Sequence, residues 1–206
     1  MKLVTISGLD GSGKTSQINF LKDHLEDQGK KTYYFHAIEF SLANKLVKFF
    51  QKTKPKEDSS GEAKTSAGKL SIFLRKIFLV VDVIRFGRFY RKREKEGCEY
   101  ILTDRFFYDQ MINLVFLANG NEFDDNRWWQ KLAEKNLKKP DFALFLEVTP
   151  HTILSRQREI EQVKKYLDKK YKLYEYFAKT RNLQRVDGEQ SRNEVLEDIK
   201  KAVNII

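Results

Sequence analysis

The feature that most constrains this chain is a glycine-rich turn at residues 8–16, which runs Gly-Leu-Asp-Gly-Ser-Gly-Lys-Thr-Ser. The turn satisfies every fixed position of the phosphate-binding pattern G-x-x-x-x-G-K-[ST]. β-branched residues lead into it, and Ile18, Leu21 and Leu25 follow it at the three- and four-residue spacing of a helix with one buried face. The sequence therefore predicts a strand, a P-loop and a helix in succession. A glycine-rich turn that binds nothing is the less favoured alternative.

The residue types in this turn suit a phosphate chain. Three glycines let consecutive backbone N–H groups point at phosphate oxygens, and the helix that follows adds its positive end. Lys14 is expected to reach the outer phosphates as a point charge. The Thr15 hydroxyl is expected to take one coordination position on Mg²⁺.

Composition bounds the kind of protein. The 206 residues suffice for one domain with a sizeable core, and no internal repeat is present. The longest purely aliphatic and aromatic run, residues 77–81, is far too short to span a bilayer, and we expect no signal peptide before the first strand. The single cysteine, Cys98, excludes an internal disulfide and suits a reducing compartment. We therefore expect one cytoplasmic domain over residues 1–206 and no membrane partner.

The net charge of +10 calls for anionic partners, which could be nucleic acid or nucleotides. The densest basic cluster, residues 85–93, interleaves arginines with aromatic residues as single-strand binders do. It also fits the end of a long amphipathic helix, and we favour that interpretation. Nucleotide binding is the preferred explanation of the charge.

Strand and helix patterns alternate along the rest of the chain. After the first strand, buried strands are predicted at 32–35, 100–105, 142–148 and 183–186, with a long helix at 69–96 and a flexible loop at about 52–68. This order predicts an α/β fold whose parallel sheet of about five strands is covered on both faces. Ligands of such sheets bind beyond the carboxyl ends of the strands.

Two groups of charged residues are candidates for phosphoryl-transfer chemistry. Asp104 and Arg105 end a predicted strand at the edge where the P-loop opens, so Asp104 could hold Mg²⁺ and Arg105 could fork onto a second phosphate. A local surface ion pair is the alternative. Arg156 and Arg158 precede a polar stretch, and we predict a mobile lid at about 156–166 that brings guanidinium groups to the transferred phosphoryl. Ordinary solvated arginines are the alternative there.

Taken together, these motifs resemble thymidylate kinase and, more broadly, the nucleoside monophosphate kinases. The resemblance covers nearly the whole chain: the P-loop, the Thr-Asp-Arg-Phe of 103–106, a tryptophan before Pro140-Asp141, the strand block 144–150, and Val186-Asp187-Gly188 in the last loop. It implies a three-layer α/β/α P-loop kinase fold. It also implies ATP-dependent, Mg²⁺-requiring phosphorylation of a nucleoside monophosphate, dTMP being favoured.

The resemblance also assigns roles to residues. ATP is held by the P-loop residues Gly8, Leu9, Asp10, Gly11, Ser12, Gly13, Lys14, Thr15 and Ser16. Thr15 and Asp104 serve the metal, Arg105 the acceptor's phosphate, and Asp10 the acceptor's sugar. The P-loop carries no basic residue between its first and third glycine, so the catalytic guanidinium is expected from Arg156 or Arg158. Members commonly pair as dimers through helices like 69–96, which implies a homodimer.

Three departures from the family pattern fall on the acceptor side. Residues 36–40 replace an Arg-Glu-Pro-Gly-like turn, and residues 108–110, Tyr-Asp-Gln, stand where a Ser and an Ala-Tyr-Gln are expected. In the long helix Asp82 is followed by Val83 where an arginine is expected, with Arg85 further on. A kinase of deoxynucleosides or of another small metabolite is therefore an alternative. A P-loop ATPase or nucleic-acid-binding module is an alternative of another class.

Overall fold

The computed structural model describes residues 1–43, 69–118, 127–157 and 161–205 of the chain. The strands are β1 (Lys2–Ser7), β2 (Thr32–Tyr34), β3 (Tyr100–Thr103), β4 (Phe142–Glu147) and β5 (Gln184–Asp187). The helices are α1 (Lys14–Asp27), α2 (Ala37–Phe40), α3 (Lys69–Lys95), α4 (Phe107–Leu117), α5 (Trp128–Asn136), α6 (Pro150–Gln157), α7 (Glu161–Thr180) and α8 (Arg192–Ala202). Strand and helix alternate, as the sequence predicts.

The five strands form one parallel sheet in the order β2-β3-β1-β4-β5. β1 lies at its centre, where Val4 pairs with Leu102 on one side and Phe142 on the other. Leu3, Val4 and Ile6 are almost completely buried, because both faces of a parallel sheet are covered and its strands are apolar without alternation. All carboxyl ends meet at one edge, which brings the P-loop after β1 next to the residues after β3.

Helices cover the sheet on both faces and confirm the predicted three-layer α/β/α architecture. α1 packs against α8, whereas α3 packs against α4 and α5, and α4 packs against α7. No helix within the described ranges is long and apolar enough to cross a membrane.

The basic cluster at 85–93 is the last part of α3, as the amphipathic-helix interpretation requires. Phe86 is fully buried and Tyr90 nearly so, and the rings of Phe86 and Phe89 pack against Phe35 at 4.7 and 5.3 Å between centroids. Because these rings belong to the core, they are not available to stack on bases. The helix ends before Gly97, whose φ of +75° is a conformation that favours glycine.

Two predicted segments lie wholly or partly outside the described residues. The flexible loop predicted at about 52–68 lies outside the described residues. Of the predicted lid, 158–160 also lie outside them, and the part from Glu161 onward belongs to α7.

Candidate active site

The P-loop owes its shape to its glycines. Gly11 and Gly13 have φ values of +85° and +93°, which residues with a side chain rarely adopt. Gly8 lies against β4, and a Cβ atom there would be 2.7 Å from the carbonyl oxygen of Leu146. The turn can therefore lie tightly on the sheet edge only with glycine at its first position. Gly13 leads directly into Lys14, the first residue of α1.

Lys14 lies folded into this loop. Its side chain is buried, and its Nζ donates to the Leu9 carbonyl oxygen at 2.5 Å and to the Ser12 Oγ at 3.4 Å. Burial lowers the pKa of Lys14 to about 8, although Asp109 and Asp10 oppose that effect. The loop thus concentrates a positive charge beside its own backbone N–H groups, at the place where phosphate oxygens are expected.

Asp104 and Thr15 meet as candidate metal ligands. Asp104 is 1% exposed; its Oδ2 accepts a hydrogen bond from the Thr15 hydroxyl, and its Oδ1 accepts one from the Tyr34 hydroxyl at 2.7 Å. His36 Nε2 lies 3.9 Å from the same Oδ1. Burial and the Asp104 charge raise the pKa of Tyr34, so Tyr34 stays a proton donor to this carboxylate.

The donor set of this pair fits Mg²⁺. Mg²⁺ in nucleotide sites commonly takes one or two protein oxygens and completes its shell with water and phosphate oxygens. A hydroxyl and a carboxylate side by side supply those protein oxygens. Within the described parts of the chain, no three His, Cys, Asp or Glu side chains are grouped to hold a metal alone. An ion here would therefore depend on a nucleotide's phosphates.

Arg105 does not pair with its neighbour Asp104, so a local ion pair between the two is not what the structure contains. Its Nη2 donates to Asp10 Oδ1 of the P-loop at 2.6 Å, and Lys170 Nζ of α7 lies 3.6 Å from Asp10 Oδ2. The Asp10 carboxylate thus lies between two cations, Arg105 after β3 and Lys170 of α7. Burial raises the pKa of Asp10, but Lys170, Arg105 and Lys14 outweigh it and the pKa is lowered.

Asp109 is a buried carboxylate beneath the P-loop. It accepts hydrogen bonds from the Ser7 hydroxyl at 2.9 Å, the Tyr174 hydroxyl at 2.8 Å and the Phe106 backbone N–H at 3.1 Å. Burial raises its pKa, although Lys14 and these donors act in the opposite direction. The carboxylate ties together the end of β1, the start of α4 and the middle of α7, which are the three elements that support the loop.

Two of the three segments that depart from the family pattern meet around one cavity of about 290 Å³. Residues of the β2–α2 region, of α3 and of α4 line it: Ile38, Ser41, Ala43, Arg75, Leu79, Gln110, Asn113, Leu114 and Leu117. Asp82 and Arg85 do not reach it. Arg85 donates to Asp82 at 2.5 Å and covers the ring of Phe40 at 4.5 Å, so this pair braces α3 against the α2 region.

A second cavity, of about 470 Å³, borders the P-loop itself. Its lining combines the outer face of the turn with the loop after β5: Gly11, Ser12, Gly13, Ser16, Gln17, Leu146, Gly188, Gln190, Ser191, Arg192 and Val195. Gly188 is close-packed here, since a Cβ atom on it would lie 2.5 Å from Val148 Cγ2. The P-loop therefore lines a cavity of nucleotide scale, whereas the first cavity is lined by the α2 region, α3 and α4.

A sequence model of the thymidylate kinase family matches residues 6–199 of the chain. The chain belongs to the thymidylate kinase family. Membership confirms the resemblance drawn from the motifs and the predicted enzyme class, a nucleoside monophosphate kinase. It disfavours the alternatives of an ATPase and of a nucleic-acid-binding module.

Relatives match over almost the full length. The probable thymidylate kinase 1 of Saccharolobus solfataricus is 26% identical, over 98% of this chain and 96% of its own. The probable thymidylate kinase of Methanobrevibacter smithii is 24% identical, over 97% of this chain and 93% of its own. The thymidylate kinase of Chlorobaculum parvum is 25% identical over 75% of this chain and 65% of its own. The similarity extends across both cavities and not only the P-loop.

The structure brings most of the predicted site residues of this kinase together. The P-loop, Thr15, Asp104 and Arg105 meet at one edge of the sheet. Arg156 stands near the end of α6, but its side chain and all of Arg158 lie outside the described residues, so their role stays a prediction.

Sequence reasoning missed four residues of this site. Lys170 and Tyr174 of α7 reach it from far along the chain, and Tyr34 and Asp109 approach it from β2 and α4. Only Tyr34 carried a usable signal, since it lies near the carboxyl end of a predicted strand, at the sheet edge that also carries Asp104. A lysine or tyrosine in a lysine- and tyrosine-rich helix has no such signal.

Proposed function

We propose that this chain transfers the γ-phosphoryl group of ATP to dTMP, which yields ADP and dTDP. The bond from the β–γ bridging oxygen to the γ-phosphorus breaks, and a bond forms to an oxygen of the dTMP phosphate. The observation that carries the proposal is the arrangement at the sheet edge. The P-loop holds Lys14 and, through Asp10, the Arg105 side chain. One cavity borders the loop itself, and another lies among the α2 region, α3 and α4.

Each cavity suits one of the two nucleotides. The cavity beside Gly188 adjoins the outer side of the P-loop and the loop after β5, so it suits the base and sugar of ATP. The cavity beside Gln110 lies between the α2 region, α3 and α4 and suits the acceptor. Two phosphate chains would then meet between Lys14 and Arg105. Such convergence supports phosphoryl transfer, in which positioning and charge neutralisation supply nearly all the rate.

The residues at the sheet edge would divide the work. Lys14 and the P-loop N–H groups hold the β- and γ-phosphates, and Arg105 forks onto the acceptor's phosphate. Thr15 and Asp104 would hold Mg²⁺, which neutralises charge on the phosphate oxygens when it is bound. Tyr34 keeps the Asp104 carboxylate oriented toward Thr15. In this arrangement each protein group binds a phosphate oxygen or the metal ion, and no protein group forms a covalent bond to a substrate.

Arg156 and Arg158 would supply the remaining charge during transfer. Lys14 is the only basic residue of the P-loop, and a guanidinium on the transferred phosphoryl is worth on the order of 10³ in rate. We expect the double alanine variant to lower kcat at least about a hundredfold with little change in ATP affinity, since the contact strengthens in the transition state. A wild-type kcat in the double variant would show that these two arginines do not take part in the transfer.

The lining of the acceptor cavity would recognise the base of the acceptor nucleotide through residues that differ from the family pattern. Polar groups are supplied by Ser41, Arg75, Gln110 and Asn113, among leucine side chains. Gln110 donates through Nε2 to the Ala37 carbonyl oxygen at 2.8 Å, which orients its carbonyl oxygen as an acceptor. A thymine ring offers one N–H donor and two carbonyl acceptors, so such a mixed polar and apolar lining can satisfy it.

The experiment that tests the function is a panel of acceptors with ATP and Mg²⁺. ADP formation is coupled to a visible reporter for dTMP, dUMP, dCMP, dAMP, dGMP and thymidine, with Lys14→Met as the control for contaminating kinases. We expect kcat/KM for dTMP to exceed that of every other acceptor. A preference for thymidine over dTMP would show that the chain is a nucleoside kinase. ADP formation without any acceptor would show that it is an ATPase.

The assembly we propose for the active protein is a homodimer. One face of α3 exposes large apolar side chains at helical spacing: Leu70, Phe73, Leu74, Ile77, Val81 and Ile84. Trp128 of α5 extends the patch, with its ring 6.5 Å from that of Phe73. An exposed apolar stripe of this length usually marks a protein interface. Its position on the helix by which the family commonly pairs makes a second copy of the chain the natural occupant.

Light scattering tests the dimer. We expect a particle of about twice 24.4 kDa for the wild type and for Lys172→Asp, a change of an exposed residue on α7. Ile77→Asp should give a monomer, because a buried unpaired carboxylate costs several kcal/mol. A wild type that is monomeric at all concentrations would contradict the proposal.

The proposed setting of the enzyme is the cytoplasm. The single cysteine of the chain, Cys98, is buried and free, which is consistent with a reducing compartment.

A further inference from the structure

Lys170 is a buried lysine of α7 whose ammonium group lies beside Asp10 of the P-loop. Its side chain is 8% exposed, and Nζ stands 4.8 Å from the ring centre of Tyr166 and 5.8 Å from that of Phe116. Nζ also lies 3.6 Å from Asp10 Oδ2. Lysine is almost never buried unless it is paired, and cation–π contacts hold an ammonium most firmly where water is excluded. The rings and the carboxylate therefore fix the charge in one place.

The Asp10 carboxylate divides its two oxygens between two cations. Oδ1 accepts from Arg105 Nη2 at 2.6 Å, and Oδ2 faces Lys170. In the described part of the chain, this single bond to Asp10 is the hydrogen bond that the Arg105 side chain makes. An arginine and a carboxylate otherwise favour a bidentate pair with two parallel hydrogen bonds. The Lys170 ammonium lies 3.6 Å from the other oxygen and competes with Arg105 for its charge.

We propose that Lys170 is a positioning residue for the acceptor's phosphate, acting through Asp10 to keep part of the Arg105 guanidinium available. With Oδ2 engaged by Lys170, Arg105 donates to Asp10 through one nitrogen and can turn its other N–H groups to the incoming phosphate. Without Lys170, Asp10 would take a second hydrogen bond from Arg105 and hold it away from substrate. The proposal rests on the proposed function, since it supposes a phosphorylated acceptor at Arg105.

The position of Lys170 on α7 adds a link to the predicted lid. α7 begins at Glu161, directly after the residues predicted to carry the lid arginines, and Lys170 lies nine residues into it. Tyr174, one turn further on, binds Asp109 beneath the P-loop at 2.8 Å. The same helix thus contacts both Asp10 of the P-loop and the buried Asp109.

Kinetics of matched variants test this assignment. Lys170→Met keeps the length of the side chain and removes its charge; Lys172→Met makes the same change at an exposed position of α7. We expect Lys170→Met to raise the acceptor KM about tenfold with the ATP KM changed less than about twofold, and Lys172→Met to change neither. Lys170→Arg should recover most of the loss. A merely structural role would instead lower the active fraction and leave both KM values unchanged.

A mutant cycle tests whether Lys170 acts through Asp10. If it does, Lys170→Met should have little further effect on the acceptor KM in an Asp10→Asn background, because the amide cannot form the bidentate ion pair with Arg105. Additive effects of the two changes would overturn the proposal.

A readout without catalysis separates failure of this inference from failure of the proposed function. In the ligand-free chain, NMR titration of the Asp10 carboxyl should show a higher pKa in Lys170→Met, since Asp10 then faces only Arg105 and Lys14. If the wild type phosphorylates no monophosphate, the proposed function fails but this coupling is still measured. An Asp10 pKa that is the same in both proteins would remove Lys170 from the site.

Discussion

Replacing Lys14 with methionine is expected to stabilise the ligand-free protein while it abolishes turnover. Lys14 is 5% exposed, and burial lowers its pKa from 10.5 to about 8 even though Asp109, Asp10 and Asp104 attract the charge. Their attraction is already contained in that net lowering. At neutral pH the folded state therefore carries a penalty of roughly 3 kcal/mol for keeping this ammonium charged.

The sign of the pH dependence follows from proton binding. Between the folded pKa of about 8 and the ordinary value of 10.5, the unfolded chain holds the Lys14 proton and the folded chain does not. Where the unfolded state binds more protons, stability increases with pH. The wild type should therefore gain stability relative to Lys14→Met as the pH rises through this window, and the advantage of the variant should shrink.

Urea denaturation at about pH 7 and about pH 10 measures this difference. We expect Lys14→Met to be more stable than the wild type by roughly 3 kcal/mol at the lower pH and by much less at the higher one. Lys172→Met, at an exposed position, should stay within about 0.5 kcal/mol at both. A variant that is less stable than the wild type at about pH 7, or an advantage that does not change with pH, would refute the reasoning. Turnover above about a tenth of the wild-type rate would place catalysis elsewhere.

Three further changes test the sheet edge. Asp104→Asn should lower activity chiefly by weakening Mg²⁺, so that excess Mg²⁺ recovers part of the rate; a loss insensitive to the metal would make Asp104 a structural partner of Thr15 and Tyr34. Arg105→Ala should raise the acceptor KM far more than the ATP KM, and equal effects on both would contradict its assignment. Gly8→Ala should distort the loop, because its Cβ would lie 2.7 Å from a β4 carbonyl oxygen. We expect Gly8→Ala to weaken ATP binding at least about tenfold in calorimetry, and unaltered affinity would show that the loop can move off the strand.

The parts of this protein that could be predicted from the sequence are those that neighbouring residues encode. The P-loop is a contiguous pattern, and its backbone requires glycines at positions that the pattern itself marks. The meeting of the P-loop with Asp104 also followed without coordinates, because parallel strands place their carboxyl ends at one edge. The topology alone was enough to predict that Asp104 lies near Thr15, although the two residues are 89 positions apart.

Side-chain partners on the acceptor side were decided only by the tertiary structure. The sequence predicted that Arg105 would stand ready for a phosphate, but not that Asp10 holds it, nor that Lys170 takes the other carboxylate oxygen. Nothing in α7 distinguishes Lys170 from the lysines beside it until the helix docks and turns that one residue inward among aromatic rings. Local backbone conformation depends on adjacent residues and can be inferred from them. The burial and pairing of a charge depend on which surfaces pack together, and packing joins residues that are far apart in the chain.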